Sequence, residues 1–87
     1  MSSPRERQLK EAIKNMLIAI HNSEEIFKEY SKLEKKVLQM SRREIDRTSA
    51  IVAENVEQYV ITIEKRTKKP PSSQAVKKKI MQELENT

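Results

Sequence analysis

The residues with the clearest chemical meaning lie between positions 65 and 79, where seven cationic side chains occur without an acid. They are Lys65, Arg66, Lys68, Lys69, Lys77, Lys78 and Lys79. Residues 1–64 hold eleven basic and eleven acidic side chains and residues 80–87 add two acids, so the net charge of +5 arises in this one segment. Such a run can neutralise several phosphates and bind nucleic acid in a salt-dependent manner that ignores base sequence. The segment therefore predicts contact with the backbone of DNA or RNA, or with an acidic partner.

The residue types in and around this segment argue against recognition of particular bases. Contacts to base edges use Arg, Asn and Gln side chains presented by a helix, whereas the cations here are mostly lysines. Stacking on unpaired bases needs aromatic rings, and Phe27, Tyr30 and Tyr59 all lie outside the segment. We therefore expect any contacts with nucleic acid to be limited to the phosphate backbone. The alternative is that the basic segment is a solvated tail without a binding role.

A short amphipathic helix is predicted at residues 74–85, after an extended linker at 67–73 that contains two adjacent prolines. Its apolar side chains Val76, Ile80 and Leu84 recur every four residues. That spacing is typical of a helix that docks in a groove of a partner protein. Lysines around this line also suit an anionic membrane. Because the helix has neither Trp nor Phe, membrane binding is the less favoured expectation.

Catalytic and metal sites are not expected. The chain has no Cys and one His, so it lacks the usual donors for a zinc site, and it has no Gly for phosphate-binding loops. Its carboxylates alternate with lysines at helix spacing, as in Glu24 and Lys28, which is typical of a solvated helix face. The sequence therefore predicts a protein that is not an enzyme and that has no cofactor and no small-molecule substrate.

Composition and periodicity predict an all-α chain. Gly is absent and 36% of the residues are charged, as in chains that form helices. A capping box near the amino terminus predicts a helix at 4–21, and further apolar repeats predict helices at 23–40 and 42–66. The short connection between the first two predicts an antiparallel pair. We expect a helical body over residues 1–66, built as an antiparallel hairpin or a three-helix bundle.

The pattern leaves open whether residues 23–66 form one helix or two. Ser41 and Glu44 fit a capping box that would start a separate helix at Arg42. Against this, residues of one face repeat every eleven positions along the stretch, a period that suits a nearly straight continuous helix. No Gly or Pro interrupts the stretch, which favours a continuous helix or one with a mild kink.

The helices contain more apolar surface than a two-helix hairpin can cover. Residues 16–20 are apolar on every side, and residues 50–53 add a second dense cluster. A second copy or a helical partner would cover them, and a three-helix bundle of one chain is the alternative. The expected helix–helix interface comprises Leu9, Ile13, Met16, Leu17, Ile20, Ile26, Tyr30, Leu33, Val37, Val52, Val56, Tyr59 and Ile63.

Together these patterns favour a non-enzymatic assembly module that forms homo-oligomers or pairs with a helical protein partner and carries a basic C-terminal arm. The alternative is a small nucleic-acid-binding protein that contacts the phosphate backbone through residues 65–79. No apolar segment has the length of a membrane span or the form of a secretory signal. We therefore expect a cytoplasmic or otherwise intracellular protein.

Overall fold

A computed structural model describes residues 4–22 and 31–86 of the chain, with the backbone alone for residues 31, 32, 34 and 35, and these residues form four α-helices. The helices are α1 (Pro4–Asn22), α2 (Ser31–Leu38), α3 (Arg42–Thr67) and α4 (Ser73–Asn86). No strand occurs in these ranges. The prediction of an all-α fold is confirmed.

Helix α3 is the longest element, and the other helices are arranged around it. Its 26 residues extend about 39 Å at 1.5 Å per residue, which equals the 39 Å long axis of the molecule. Helix α1 runs antiparallel to it, since Arg5 pairs with Glu64 at 3.1 Å while Lys14 pairs with Asp46 at 3.4 Å. Helix α4 packs on α3, and α2 contacts both α1 and α4. Each helix thus has two neighbouring helices, and together they enclose one core.

The core draws apolar side chains from all four helices. It consists of Ile13, Leu17, Ile20, Leu33, Val37, Ile45, Val52, Ala53, Val56, Val60 and Leu84. Burying a Leu, Ile or Val side chain contributes about 1.5–3 kcal/mol relative to leaving it exposed. Leu17 and Ile20 are buried and Met16 and Ile18 are half-buried, so the chain itself covers a large part of the apolar stretch at 16–20.

The continuous helix favoured from the eleven-residue repeat is wrong, because the chain leaves the helical path between Leu38 and Arg42. Ser41 is the N-cap of α3: its backbone is extended (φ −74°, ψ 165°) and its Oγ accepts the N–H of Glu44 at 3.2 Å. A cap of this kind is worth about 1 kcal/mol. The larger gain comes from packing, since the break lets α2 bury Leu33 and Val37 in the core.

The side chains of the predicted helix–helix interface that fall in the described ranges line the contacts between helices of one chain. Seven of them are core residues, and Leu9, Met16 and Tyr59 pack against the core from its edge. Ile63 is half-buried. The prediction for Ile26 and Tyr30, and the helix start at residue 23, lie outside the described residues.

Candidate functional site

The basic segment begins at the carboxyl end of α3, where the helix is closed by a left-handed residue. Lys68 adopts φ 64° and ψ 12°, and its N–H donates to the carbonyl of Glu64 at 2.9 Å. The hydroxyl of Thr67 lies 2.8 Å from the carbonyl of Ile63 and 2.9 Å from that of Lys69, and it accepts the N–H of Lys69 at 3.3 Å. These bonds fix the direction in which the chain leaves α3.

The linker of residues 68–72 is also tied at its far end, where α4 begins. The Oγ of Ser72 accepts the N–H of Ala75 at 3.2 Å, and the carbonyl of Ser72 accepts that of Val76 at 3.0 Å. Two prolines with restricted φ precede this cap. The linker is therefore a short corner between two capped helices.

Two contacts set α3 and α4 in a single antiparallel register. Asn55 donates from Nδ2 to Oε2 of Glu83 at 3.3 Å, and Nζ of Lys79 lies 5.6 Å from the centre of the Tyr59 ring. Four residues forward along α3 thus correspond to four residues back along α4. Continuing this register places Lys77 and Lys78 about 8–9 Å along the α3 axis from Arg66.

Six of the seven predicted cations are exposed at this end of the molecule, and we call them the basic end. They are Lys65, Arg66, Lys68, Lys69, Lys77 and Lys78. Lys79 differs from them because its side chain is 29% exposed and pairs with Glu83 at 3.1 Å. That ion pair lies within α4, and Nζ of Lys79 also lies 5.6 Å from the centre of the Tyr59 ring of α3, so the seventh cation contacts the body.

Among the described residues, the charge of the basic end is not balanced by ion pairs with acids. Residues 65–82 contain no Asp or Glu, and the carboxylate of Glu64, next to Lys65, pairs with Arg5. Within residues 4–22 and 31–86, none of the six cations forms an ion pair. Exposed charges of one sign that are close together produce a positive potential that attracts polyanions from a distance.

The docking helix predicted from Val76, Ile80 and Leu84 is not free for a partner. Leu84 is 2% exposed within the core, and Val76 and Ile80 pack against the core from α4. Nζ of Lys36, in α2, donates to the carbonyl of Leu84 at 3.4 Å and closes the end of α4. The prediction of a tethered arm is wrong because the apolar line of α4 matches the chain's own core.

Two further surface features were not predicted from sequence. An open cavity of about 390 Å³ lies where α1 ends and α3 begins, lined by Ile18, His21, Asn22, Met40, Arg42 and Ile45. A shallow groove of about 360 Å³ on the outer face of α3 is lined by Glu44, Arg47, Thr48 and Ile51. The spacing of the groove residues Glu44, Arg47, Thr48 and Ile51 could have indicated that they lie on one face of α3. It could not have indicated that Ile51 on this face is exposed.

The part of the chain that the structure describes offers no metal site, since no group of three or more His, Asp or Glu side chains is placed to hold an ion. Nor does any helix within it combine the length and apolar character needed to cross a bilayer. Comparisons with protein-family models, with curated proteins and with solved structures found no match to this chain. The basic end is thus the candidate site, on the strength of its own geometry.

Proposed function

We propose that this protein is a non-enzymatic nucleic-acid-binding module that holds the phosphate backbone against its basic end. One observation carries the proposal: six exposed cations, without ion-pair partners in the described ranges, surround the corner between α3 and α4. Residues 1–64 have no net charge. The attraction for a polyanion is therefore concentrated at one end.

Binding of this kind draws its free energy from the release of condensed counterions. Each phosphate that a lysine or arginine neutralises adds about 0.9 to the slope of log affinity against log salt for a duplex. Full use of six cations gives a slope near −5. An affinity that falls about a thousandfold between 50 and 200 mM salt is the expected signature.

The burial of the apolar stripes favours this proposal over the assembly module. The assembly hypothesis depended on apolar surface that a hairpin leaves uncovered, and α4 and α2 now supply side chains to cover it. In the described ranges, Leu38 and Ile51 are the large apolar residues that stay exposed, at 44% and 45%. The six cations of the basic end, in contrast, form no ion pair within the described ranges.

The test is a fluorescence-anisotropy titration with a labelled duplex of about 20 base pairs, at several salt concentrations. We compare the intact protein with a variant that carries Lys68→Gln, Lys69→Gln, Lys77→Gln and Lys78→Gln. The variant should lose at least a hundredfold in affinity at low salt while its circular dichroism and melting temperature stay close to those of the intact protein. Unchanged affinity of this variant would locate the binding elsewhere.

A matched control removes cations from the other end of α3. Arg42→Gln with Arg43→Gln deletes two exposed charges that lie about 35 Å from Arg66 along the helix. Its affinity should fall far less than that of Lys77→Gln with Lys78→Gln. Equal losses from the two double variants would mean that net charge alone determines binding, and would contradict a localised site.

A second candidate function, self-association, is favoured by the groove on the outer face of α3. Ile51 is 45% exposed there, and Glu44 and Arg47 line the same groove without an ion-pair partner among the described residues. In a twofold dimer, a patch that contains both charges can pair Glu44 of one copy with Arg47 of the other. Sedimentation equilibrium should then show a dimer that Ile51→Lys dissociates and Leu38→Lys does not.

A further inference from the structure

We infer that the partner of the basic end is a double helix and that single strands bind it more weakly. This inference rests on the proposed function, because it names the class of nucleic acid that the same six cations recognise. It depends on three properties of the site: its fixed geometry, the position of Tyr59, which is the one aromatic residue in the described ranges, and the density of its charge.

The backbone that carries the six cations is held in place. Lys65 and Arg66 lie in the last turn of α3, Lys68 and Lys69 follow its hydrogen-bonded cap, and Lys77 lies just after the first turn of α4. The linker between them is capped at both ends. When a fixed array of cations binds a stiff duplex, neither partner loses much conformational freedom. A flexible single strand loses conformational freedom when it is ordered on the same array, and this loss weakens its binding.

The aromatic ring that the structure describes is not available to stack on bases. Tyr59, the one aromatic residue in the described ranges, is half-buried and packs against the core. Nζ of Lys79 lies 5.6 Å from its centre and is held by Glu83. Stacking supplies about 1–3 kcal/mol per base in single-strand-binding proteins. Because Tyr59 does not supply that contribution, we expect binding at the basic end to depend on phosphate charge.

Charge density then distinguishes duplex from single strand. The cations on α3 and α4 fall within about 9 Å along the helix axes. A duplex presents one phosphate per 1.7 Å of its axis, or about five over that length, and one of its strands presents one per 3.4 Å. The duplex therefore offers at least one phosphate for each of the four cations on the two helices, Lys65, Arg66, Lys77 and Lys78. A single strand leaves about one in three of these four cations unmatched.

The same contacts carry little information about base sequence. Phosphate contacts position a protein on a duplex but do not distinguish base pairs. Near the corner, Gln74 is an exposed amide, and one amide gives at most one base-pair preference. We expect affinities for unrelated duplex sequences to agree within about tenfold, the factor that corresponds to 1.4 kcal/mol.

The experiment compares three labelled probes of about 20 nucleotides or base pairs with the intact protein: duplex DNA, duplex RNA and a thymine-only single strand, at 50, 100 and 200 mM salt. The duplex affinity should exceed that of the single strand at least tenfold at 50 mM. Its salt slope should lie near −5, and Lys68→Gln with Lys69→Gln should reduce the slope by about 2.

The outcomes separate this inference from the proposed function. If the single strand binds as tightly as the duplexes, or more tightly, the preference for a double helix is overturned while backbone binding stands. If no probe binds at 50 mM salt, the proposed function itself fails. A duplex slope that the Lys68→Gln, Lys69→Gln variant leaves unchanged would overturn the assignment of these cations.

Discussion

Nζ of Lys79 lies 5.6 Å from the centre of the Tyr59 ring and within 3.1 Å of the Glu83 carboxylate. Its neighbours Lys77 and Lys78 are exposed. Three consecutive lysines thus have two different roles. Lys79 lies on the side of α4 that meets α3 and holds the helices together, whereas the other two lie on sides that face solvent. The register between α3 and α4 creates this difference.

Substitution of adjacent lysines should separate the two roles. Lys79→Gln removes a partly exposed ion pair and a cation–π contact, so we expect it to lower the free energy of unfolding by about 0.5–1 kcal/mol. Lys78→Gln should leave stability unchanged and weaken duplex binding instead. Urea unfolding followed by circular dichroism and anisotropy titration measure the two effects. A larger loss of stability from Lys78→Gln than from Lys79→Gln would contradict the register.

Leu84 should be essential to the fold even though it lies in the last turns of the final helix. Leu84→Ala deletes a core side chain that is 2% exposed, so we expect the free energy of unfolding to fall by about 2–5 kcal/mol. Glu85→Ala is the matched control, because Glu85 is the adjacent exposed residue. It should change stability by less than about 0.5 kcal/mol. Equal and small effects of the two would mean that α4 does not pack on the body.

Ser41→Ala tests the break between α2 and α3 through the sign of its effect. As an N-cap whose Oγ accepts the N–H of Glu44, Ser41 should stabilise the protein by about 0.5–2 kcal/mol relative to Ala. In the interior of a continuous helix the same substitution would stabilise instead, because Ala has the higher helix propensity. Ser41→Asp should restore stability, since Asp is also a good N-cap. Chemical denaturation of the three proteins distinguishes the two structures.

Glu6, at the start of α1, should make stability fall as the pH rises. Burial raises the pKa of Glu6 above its ordinary value of 4.5, and a side-chain hydrogen bond to Glu57 and the charges of Glu57 and Glu54 raise it further. The folded protein therefore holds this proton more tightly than the unfolded chain does. The stabilisation is complete below pH 4.5 and is lost as the pH rises through the folded value. Glu6→Gln should raise the melting temperature at pH 7 and remove this decline.

Two further substitutions serve as controls for that pH dependence. Glu11→Gln, at an exposed position of α1, should not change the melting temperature at pH 7. Asp46→Asn should act in the opposite direction, because the charge of Lys10, assisted by Lys14, lowers the pKa of Asp46 below its ordinary 3.8. The ionised Asp46 carboxylate stabilises the folded protein above pH 3.8. This stabilisation is lost as the pH falls through the pKa that Asp46 has in the folded protein. A Glu6→Gln protein less stable than the parent at pH 7 would contradict the raised pKa.

Local signals were sufficient to place three of the helices. The predicted ranges 4–21 and 74–85, and the range 42–66 of the less favoured alternative with a break, each differ by at most one residue at either end from α1, α4 and α3. Caps and prolines act within a few residues of where they occur, so their positions can be read directly from the sequence. The all-α class followed in the same way from a chain without glycine.

The arrangement of the helices depends on distances along the chain that local patterns do not encode. Val76, Ile80 and Leu84 form the same apolar line whether α4 docks on its own chain or on a partner. The eleven-residue repeat predicts a straight helix only if no other arrangement buries more apolar surface. Here the broken arrangement buries Leu33 and Val37 in the core. Six cations of the basic segment are exposed, as a binding surface requires. The contact of Lys79 with Tyr59 depends on the register between α3 and α4, which the sequence pattern does not indicate.

Lys68, the left-handed residue that ends α3, adds a positive charge at a position where it also lowers the stability of the fold. A β-carbon in that conformation costs about 1–2 kcal/mol, and glycine, the usual residue there, avoids the cost. This chain contains no glycine and has Lys68 at φ 64°. It therefore gives up part of its folding free energy at the corner where positive charge is concentrated. Conformational strain accepted at one position is typical of functional sites, and here it adds a sixth cation to the basic end.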